Sequence, residues 1–108
     1  MPVYVTLYKY TGSIKGGGPE RFKQVQEIVA AENGEILHVY GLLGAYDIMS
    51  VAQFPDNRTA MKVAAKVGNL ITAQTHTMAA VERDDFLQLL TELWLTLSRH
   101  LKLSMDQA

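Results

Sequence analysis

Histidine, aspartate and tyrosine are the residue types here that can hold or move a proton, and they recur in segments that read as strands. His38 and His76 lie in separate segments, Asp47 follows a glycine turn, and Tyr4, Tyr8, Tyr40 and Tyr46 accompany them. Imidazole titrates near neutrality, so either histidine could act as a general acid or base. With Asp47 they would also form a two-His, one-carboxylate set, a known pattern for an open metal site. No pair stands at i, i+2 on a strand or i, i+4 on a helix, so no metal is expected. Hydrogen-bonded lining is the commoner fate of such histidines. Asp47 has two readings. It orients a ring or holds a ligand, or it caps a hairpin while Tyr46 packs over an edge. His100 sits beside an apolar helical stripe and reads as structural.

Other chemistries drop out early. The chain of 108 residues has no cysteine, which removes disulfides, thiol catalysis and zinc–thiolate sites together. Gly12, Gly16, Gly17 and Gly18 lie near Lys15 ahead of a helix start, where backbone amides can hold an anion. The run matches neither GxxxxGK[ST] nor GxGxxG, so a nucleotide site is not supported, and a connecting loop is the simpler reading. Tyr8 and Tyr40 could stack on bases, but the strands offer only Lys9 beside them. A net charge of −1 supplies no basic field for nucleic acid or for an anionic membrane. Met1-Pro2-Val3-Tyr4-Val5-Thr6 lacks the basic and apolar regions of a signal peptide, and no apolar run approaches the ~20 residues of a span. The expectation is a cytoplasmic protein without cofactor, nucleic acid or membrane partner.

The elements that position these groups follow from periodicity. Val3 to Tyr10 alternates with period two and reads as a strand. Thr11 to Gly18 is a loop, and Pro19 with Glu20 opens a helix carrying Phe22, Val25, Ile28 and Val29. Asn33-Gly34 supplies a left-handed cap. Glu35 to Leu43 and Tyr46 to Phe54 make a hairpin through Gly44-Ala45. Asp56 caps a second helix with Ala60, Val63, Ala64 and Val67 buried, Arg58, Lys62 and Lys66 wet, and a stop at Gly68-Asn69. Leu70 to Val81 is a fourth strand. A third helix runs from about Asp84 to Leu101, with a stripe of Phe86, Leu87, Leu90, Leu93, Trp94, Leu97 and Leu101.

The order β-α-β-β-α-β predicts an α+β, ferredoxin-like fold. Its four-stranded antiparallel sheet has two helices on one face and an added C-terminal helix. Residues 1–82 form the domain, and residues 83–108 form an amphipathic helix and tail for oligomerisation. Val3, Val5 and Leu7 suit the helix side, which sends Tyr4, Thr6, Tyr8 and Tyr10 to the bare side with His38 and Tyr40. A one-residue slip would reverse this assignment. Tyr4, Thr6, Tyr8, His38, Tyr40, Tyr46, Asp47 and His76 are therefore the candidate ligand-binding residues of an open-face pocket. Large residues on the third helix are each worth about 1.5–3 kcal/mol when buried, so a homo-oligomer through the sheet face and this helix is expected.

Three stretches resemble the GYD domain family. They are Tyr4-Val5-Thr6-Leu7-Tyr8-Lys9-Tyr10-Thr11, then Ile14-Lys15 followed by Pro19-Glu20-Arg21, and Leu43-Gly44-Ala45-Tyr46-Asp47-Ile48 with Pro55-Asp56 after it. The strand from Thr75 to Val81 and Glu82-Arg83-Asp84-Asp85-Phe86 also fit, so the resemblance covers roughly residues 1–86. It departs at Gly16-Gly17-Gly18, a looser loop, and at the extension after residue 86. The resemblance implies a dimeric α/β-barrel type of ferredoxin-like fold and no established reaction. Three functions stay open. One is a non-catalytic small-molecule-binding or sensory module. A second is an assembly or partner-binding protein without pocket chemistry. The third is a small cofactor-free oxygenase or isomerase, by analogy with other dimeric barrels.

Overall fold

The computed structural model describes residues 1–12 and 17–106. The Lys15–Gly16 part of the glycine loop, with Ile14, lies outside the described residues. The elements are β1 (Val3–Tyr10), α1 (Gly18–Ala31), β2 (Glu35–Gly41), β3 (Ile48–Gln53), α2 (Asn57–Ile71), β4 (Ala73–Ala80) and α3 (Arg83–Asp106). All strand pairs are antiparallel, in the order β2-β3-β1-β4. The fold is therefore the expected ferredoxin-like sheet with a C-terminal helix.

Local signals place the helices. Pro19 stands in the first turn of α1, after Gly17 at φ 87°. Asn33 turns left-handed at φ 59°, and the Gly34 N–H donates to the Val29 carbonyl at 3.0 Å, closing the helix. The Asp56 carboxylate accepts the Thr59 N–H at 2.8 Å and starts α2. That helix does not stop at Gly68-Asn69. It runs on to Ile71 and ends on Thr72 at φ 55°. Gly68 instead lies where α2 crosses β4, since a Cβ there would meet the Ala73 carbonyl and Thr75 Cγ2 at 3.1 Å. The glycine serves close packing of helix on strand rather than termination.

The sheet faces differ from the expectation on β1. Tyr4, Thr6 and Tyr8 are buried under the helices, whereas Val3, Val5 and Leu7 line the open face. Antiparallel pairing aligns rows across the sheet on the helix side: Val39–Ser50–Thr6–Thr77 and Ile36–Ala52–Tyr4–Ala79. The opposite face carries Tyr40–Met49–Leu7–His76 and His38–Val51–Val5–Met78. Alternation defines two faces but is symmetric under a one-residue slip. The tyrosines won the helix side because their rings fill more of the core than Val or Leu. The Tyr4 hydroxyl also finds a partner, donating to Asn57 Oδ1 at 2.6 Å.

A register shift between Ile36 and His38 marks a β-bulge. It sends Ile36 toward the helices and His38 to the open face, although the two are only two residues apart. The core gathers Tyr4, Tyr8, Val29, Phe54, Val63 and Val67. The α1 backbone packs on α2 and β2 but stands clear of β1 and β3. Helix α3 extends past the expected Leu101 and packs against no other element among the described residues. The radius of gyration, 19.3 Å, exceeds the ~13 Å of a compact chain near this length because α3 projects. Among the described residues no helix is long and apolar enough to cross a membrane.

Candidate functional site

Because α1 stands clear of the central strands, a cleft of about 280 Å³ opens between helix and sheet. Its floor comes from β1 and β3, where Thr6 and Ser50 are cross-strand partners and Tyr8 follows on the same face. Phe22, Val25 and Val29 of α1 form the roof. Val63 and Val67 of α2 form one wall, and Ile36 and Val39 of β2 the other. Tyr10, Gly18, Arg21 and Ile71 also line it, at the end where β1 finishes and α1 begins. The described lining is mostly apolar, with one row of hydroxyls and one cation.

The hydroxyls are held in place. Thr6 Oγ1 and Thr77 Oγ1 share a hydrogen bond at 2.9 Å. Burial pushes the Tyr8 phenol above its ordinary 10.0, and the Ser50 and Thr6 hydroxyls beside it pull partly the other way. Tyr8 is thus a neutral donor and acceptor across the physiological range. The described lining contains no histidine, carboxylate or cysteine.

The expected open-face pocket therefore does not assemble as drawn. Thr6 and Tyr8 reach the cleft on the other side of the sheet, and Tyr4 is committed to the core against Phe54, with ring centroids 5.9 Å apart. His38 and Tyr40 do lie on the open face, stacked at 6.0 Å and 26°. Tyr46 meets His76 edge-on at 5.5 Å and 75°. Asp47 takes a hairpin role: its Oδ2 accepts the Tyr10 N–H at 2.8 Å, and its own N–H donates to the Tyr8 carbonyl at 2.8 Å. Among the described residues no cluster of His, Cys, Asp or Glu could hold a metal.

Arg21 and Ser50 were not among the candidates. Ser50 acquires its place only through the β1–β3 register. Arg21 carried a signal in its spacing, because 21, 25 and 28 fall on one side of a helix with Val25 and Ile28. A charge on an apolar stripe marks the edge of a pocket as well as an error in pattern.

The family pattern described as the GYD domain matches residues 4–90. The chain belongs to the GYD domain family. The match takes in the sheet from Tyr4 onward, both covering helices and the first turns of α3. Comparison with curated proteins returns no match. Solved structures carry the same fold. The leucine response regulatory protein LrpA of Mycobacterium tuberculosis superposes with a TM-score of 0.59 at 8% identity, over 75% of this chain and 51% of that one. A feast or famine regulatory protein from M. tuberculosis, complexed with L-methionine, gives 0.60 at 8% identity, over 76% and 51%. FFRP-DM1 gives 0.52 at 19% identity, over 75% of this chain and 100% of that one. The chain thus spans about half the length of the two M. tuberculosis proteins. At these identities the likeness shows the shared fold of the GYD domain.

Proposed function

We propose that this GYD chain is a non-catalytic small-molecule-binding module and that its site is the cleft between α1 and the sheet. The observation that carries this reading is the cleft itself, apolar in its walls and hydroxyl-bearing on its floor. Ligand pockets have that composition, and about 280 Å³ falls just below their ~300–1,000 Å³ range, which suits a compact ligand. Catalysis is disfavoured because the described lining holds no group that could act as a base at neutral pH, and burial keeps Tyr8 protonated. A protein of the same fold is described in complex with L-methionine, which makes small-molecule binding an ordinary use of the architecture. The test is native mass spectrometry of protein purified without added ligand, followed by thermal-shift screening. A reproducible extra mass or a ligand-dependent rise in Tm supports the module. Absence of both, with Tm unmoved across compact apolar compounds, removes it.

We further propose that the chain acts as a cytoplasmic homo-oligomer whose α3 helices meet those of other copies. Phe86, Leu90, Leu93, Trp94, Leu97 and Leu101 are each 45–66% exposed, and among the described residues no other element covers them. A second copy is favoured by charge. Asp84 and Asp85 sit at the start of α3, and Arg99 and Lys102 lie near its end, so antiparallel packing brings opposite charges together. The open sheet face adds Val5, Leu7, Met49, Val51 and Met78 as a second apolar surface. Sedimentation equilibrium reads the mass directly. A monomer at micromolar concentration would remove this part of the reading and leave the cleft untouched.

A further inference from the structure

Among the described residues the cleft carries one charged group, and its position restricts what the cleft can hold. This step rests on the small-molecule reading above. Arg21 is half-buried and lines the cavity beside Tyr10, Gly18 and Phe22. The described ion pairs join Glu32 to Lys62 and Lys66, and Arg83 to Asp84, so none of them neutralises Arg21. The described lining includes no carboxylate. A guanidinium stripped of part of its water and left without an anion is poorly compensated. A carboxylate answers it with two parallel charge-assisted hydrogen bonds.

The remaining dimensions are set by the other lining residues. Tyr10 lies at the Arg21 end, and Thr6 is four residues inward along the same face of β1, about 13 Å at 3.3 Å per residue. Between them the roof is Phe22 and Val25, and the floor is Tyr8 and Ser50. The walls are apolar, so the body of the ligand must be apolar as well. A second strong charge at the inner end would meet Val29, Ile36 and Val63 with no counter-ion. The geometry points to a compact monocarboxylic acid with an apolar body, its carboxylate on Arg21 and its ring or chain over the Tyr8–Ser50–Thr6 floor. One end of the cleft reads charge, and the rest reads shape.

The test compares matched acids and amides, which differ in charge and little in size. Phenylacetate and indole-3-acetate are titrated calorimetrically against phenylacetamide and indole-3-acetamide. Amide chemical shifts of Thr6, Tyr8 and Ser50 report whether the probe is in the cleft. Each acid is expected to bind at least tenfold more tightly than its amide. Arg21→Gln should bring that ratio close to one, chiefly by weakening the acids, and Arg21→Lys, which keeps the charge but not the paired donors, should keep only part of it. Circular dichroism checks that both variants fold, and a misfolded Arg21→Gln leaves Arg21→Lys and the natural chain to decide. Equal binding of acid and amide in the natural chain overturns the carboxylate assignment but spares the small-molecule reading. An acid preference that survives Arg21→Gln does the same. Failure of all four probes at millimolar concentration overturns both.

Discussion

The Asp47 carboxylate accepts the backbone N–H of Tyr10 at 2.8 Å, which fastens the end of β1 to the start of β3 at the mouth of the cleft. The same residue's backbone N–H donates to Tyr8, and its carbonyl accepts the Leu42 N–H at 2.8 Å. Asp47 therefore fixes two of the tyrosines that line the cavity without entering it. Asp47→Ala should lower unfolding stability by about 1–2 kcal/mol, because a charge-assisted bond is lost and a backbone donor is left to water. Asp47→Asn keeps an accepting oxygen and should recover part of this. Urea denaturation of both variants measures the difference.

Gly34 and Gly12 should respond unequally to alanine. A Cβ on Gly34 would stand 2.6 Å from the Phe54 ring and 2.9 Å from the Gln53 carbonyl, while one on Gly12 would meet nothing within 4 Å. Gly34→Ala should therefore cost about 1–3 kcal/mol as an overpacked site. Gly12→Ala should fall within about 0.5 kcal/mol of the natural chain. Paired thermal melts distinguish them.

Stability should fall at both ends of the pH scale for assignable reasons. Lys62, bonded to Glu32, holds its carboxyl below the ordinary 4.5, and the Thr59 N–H holds Asp56 below 3.8. Carboxyls depressed in the folded state stabilise it above those ordinary values, and the contribution is lost as pH falls through the lower folded values. Glu32→Gln with Asp56→Asn should flatten that acid limb. Tyr8 runs the other way. Its phenol is raised by burial, so its contribution is complete below 10.0 and lost as pH rises through the folded value. Tyr8→Phe should flatten the alkaline limb.

Trp94 is 66% exposed on α3 and is the largest side chain on its apolar stripe. Trp94→Ala should weaken self-association by about thirtyfold, equivalent to roughly 2 kcal/mol at an interface anchor. Val51→Glu places a charge on the open sheet face and should weaken association through that surface while the domain stays folded. Sedimentation equilibrium follows the first effect, and circular dichroism checks the second variant's fold. An unchanged mass for both variants would separate these surfaces from assembly.

Much of the fold was legible because periodicity and caps are local. Asp56, Pro19 and Asn33 announced their helix ends, and the element order β-α-β-β-α-β implied the four-stranded antiparallel sheet. The faces were harder. Period two separates Tyr4, Thr6 and Tyr8 from Val3, Val5 and Leu7 but is silent on which set the helices cover. That depended on volume and on Asn57, a partner 53 residues away for the Tyr4 hydroxyl. The bulge between Ile36 and His38 has no residue-type signature here, so Ile36 and His38 read as neighbours on one face. His38 and Tyr40 nonetheless lie on the open face, because the bulge left β2 in that phase beyond it, and His76 lies there through its pairing with Leu7. The cleft could not be read from pattern, since it exists only because α1 rests on α2 and β2 without settling onto β1 or β3.

That stand-off has a consequence for the cellular supply of the protein. Space that would be filled in a finished interior is open here, and among the described residues no large side chain falls below 2% exposure. A compound that fills the space supplies the missing interior contacts, and its binding free energy adds directly to the free energy of folding. Chains lacking it would visit the unfolded state more often and meet proteases there. Abundance would then track the compound, and the turnover of the polypeptide would itself be a measure of how much ligand the cell holds.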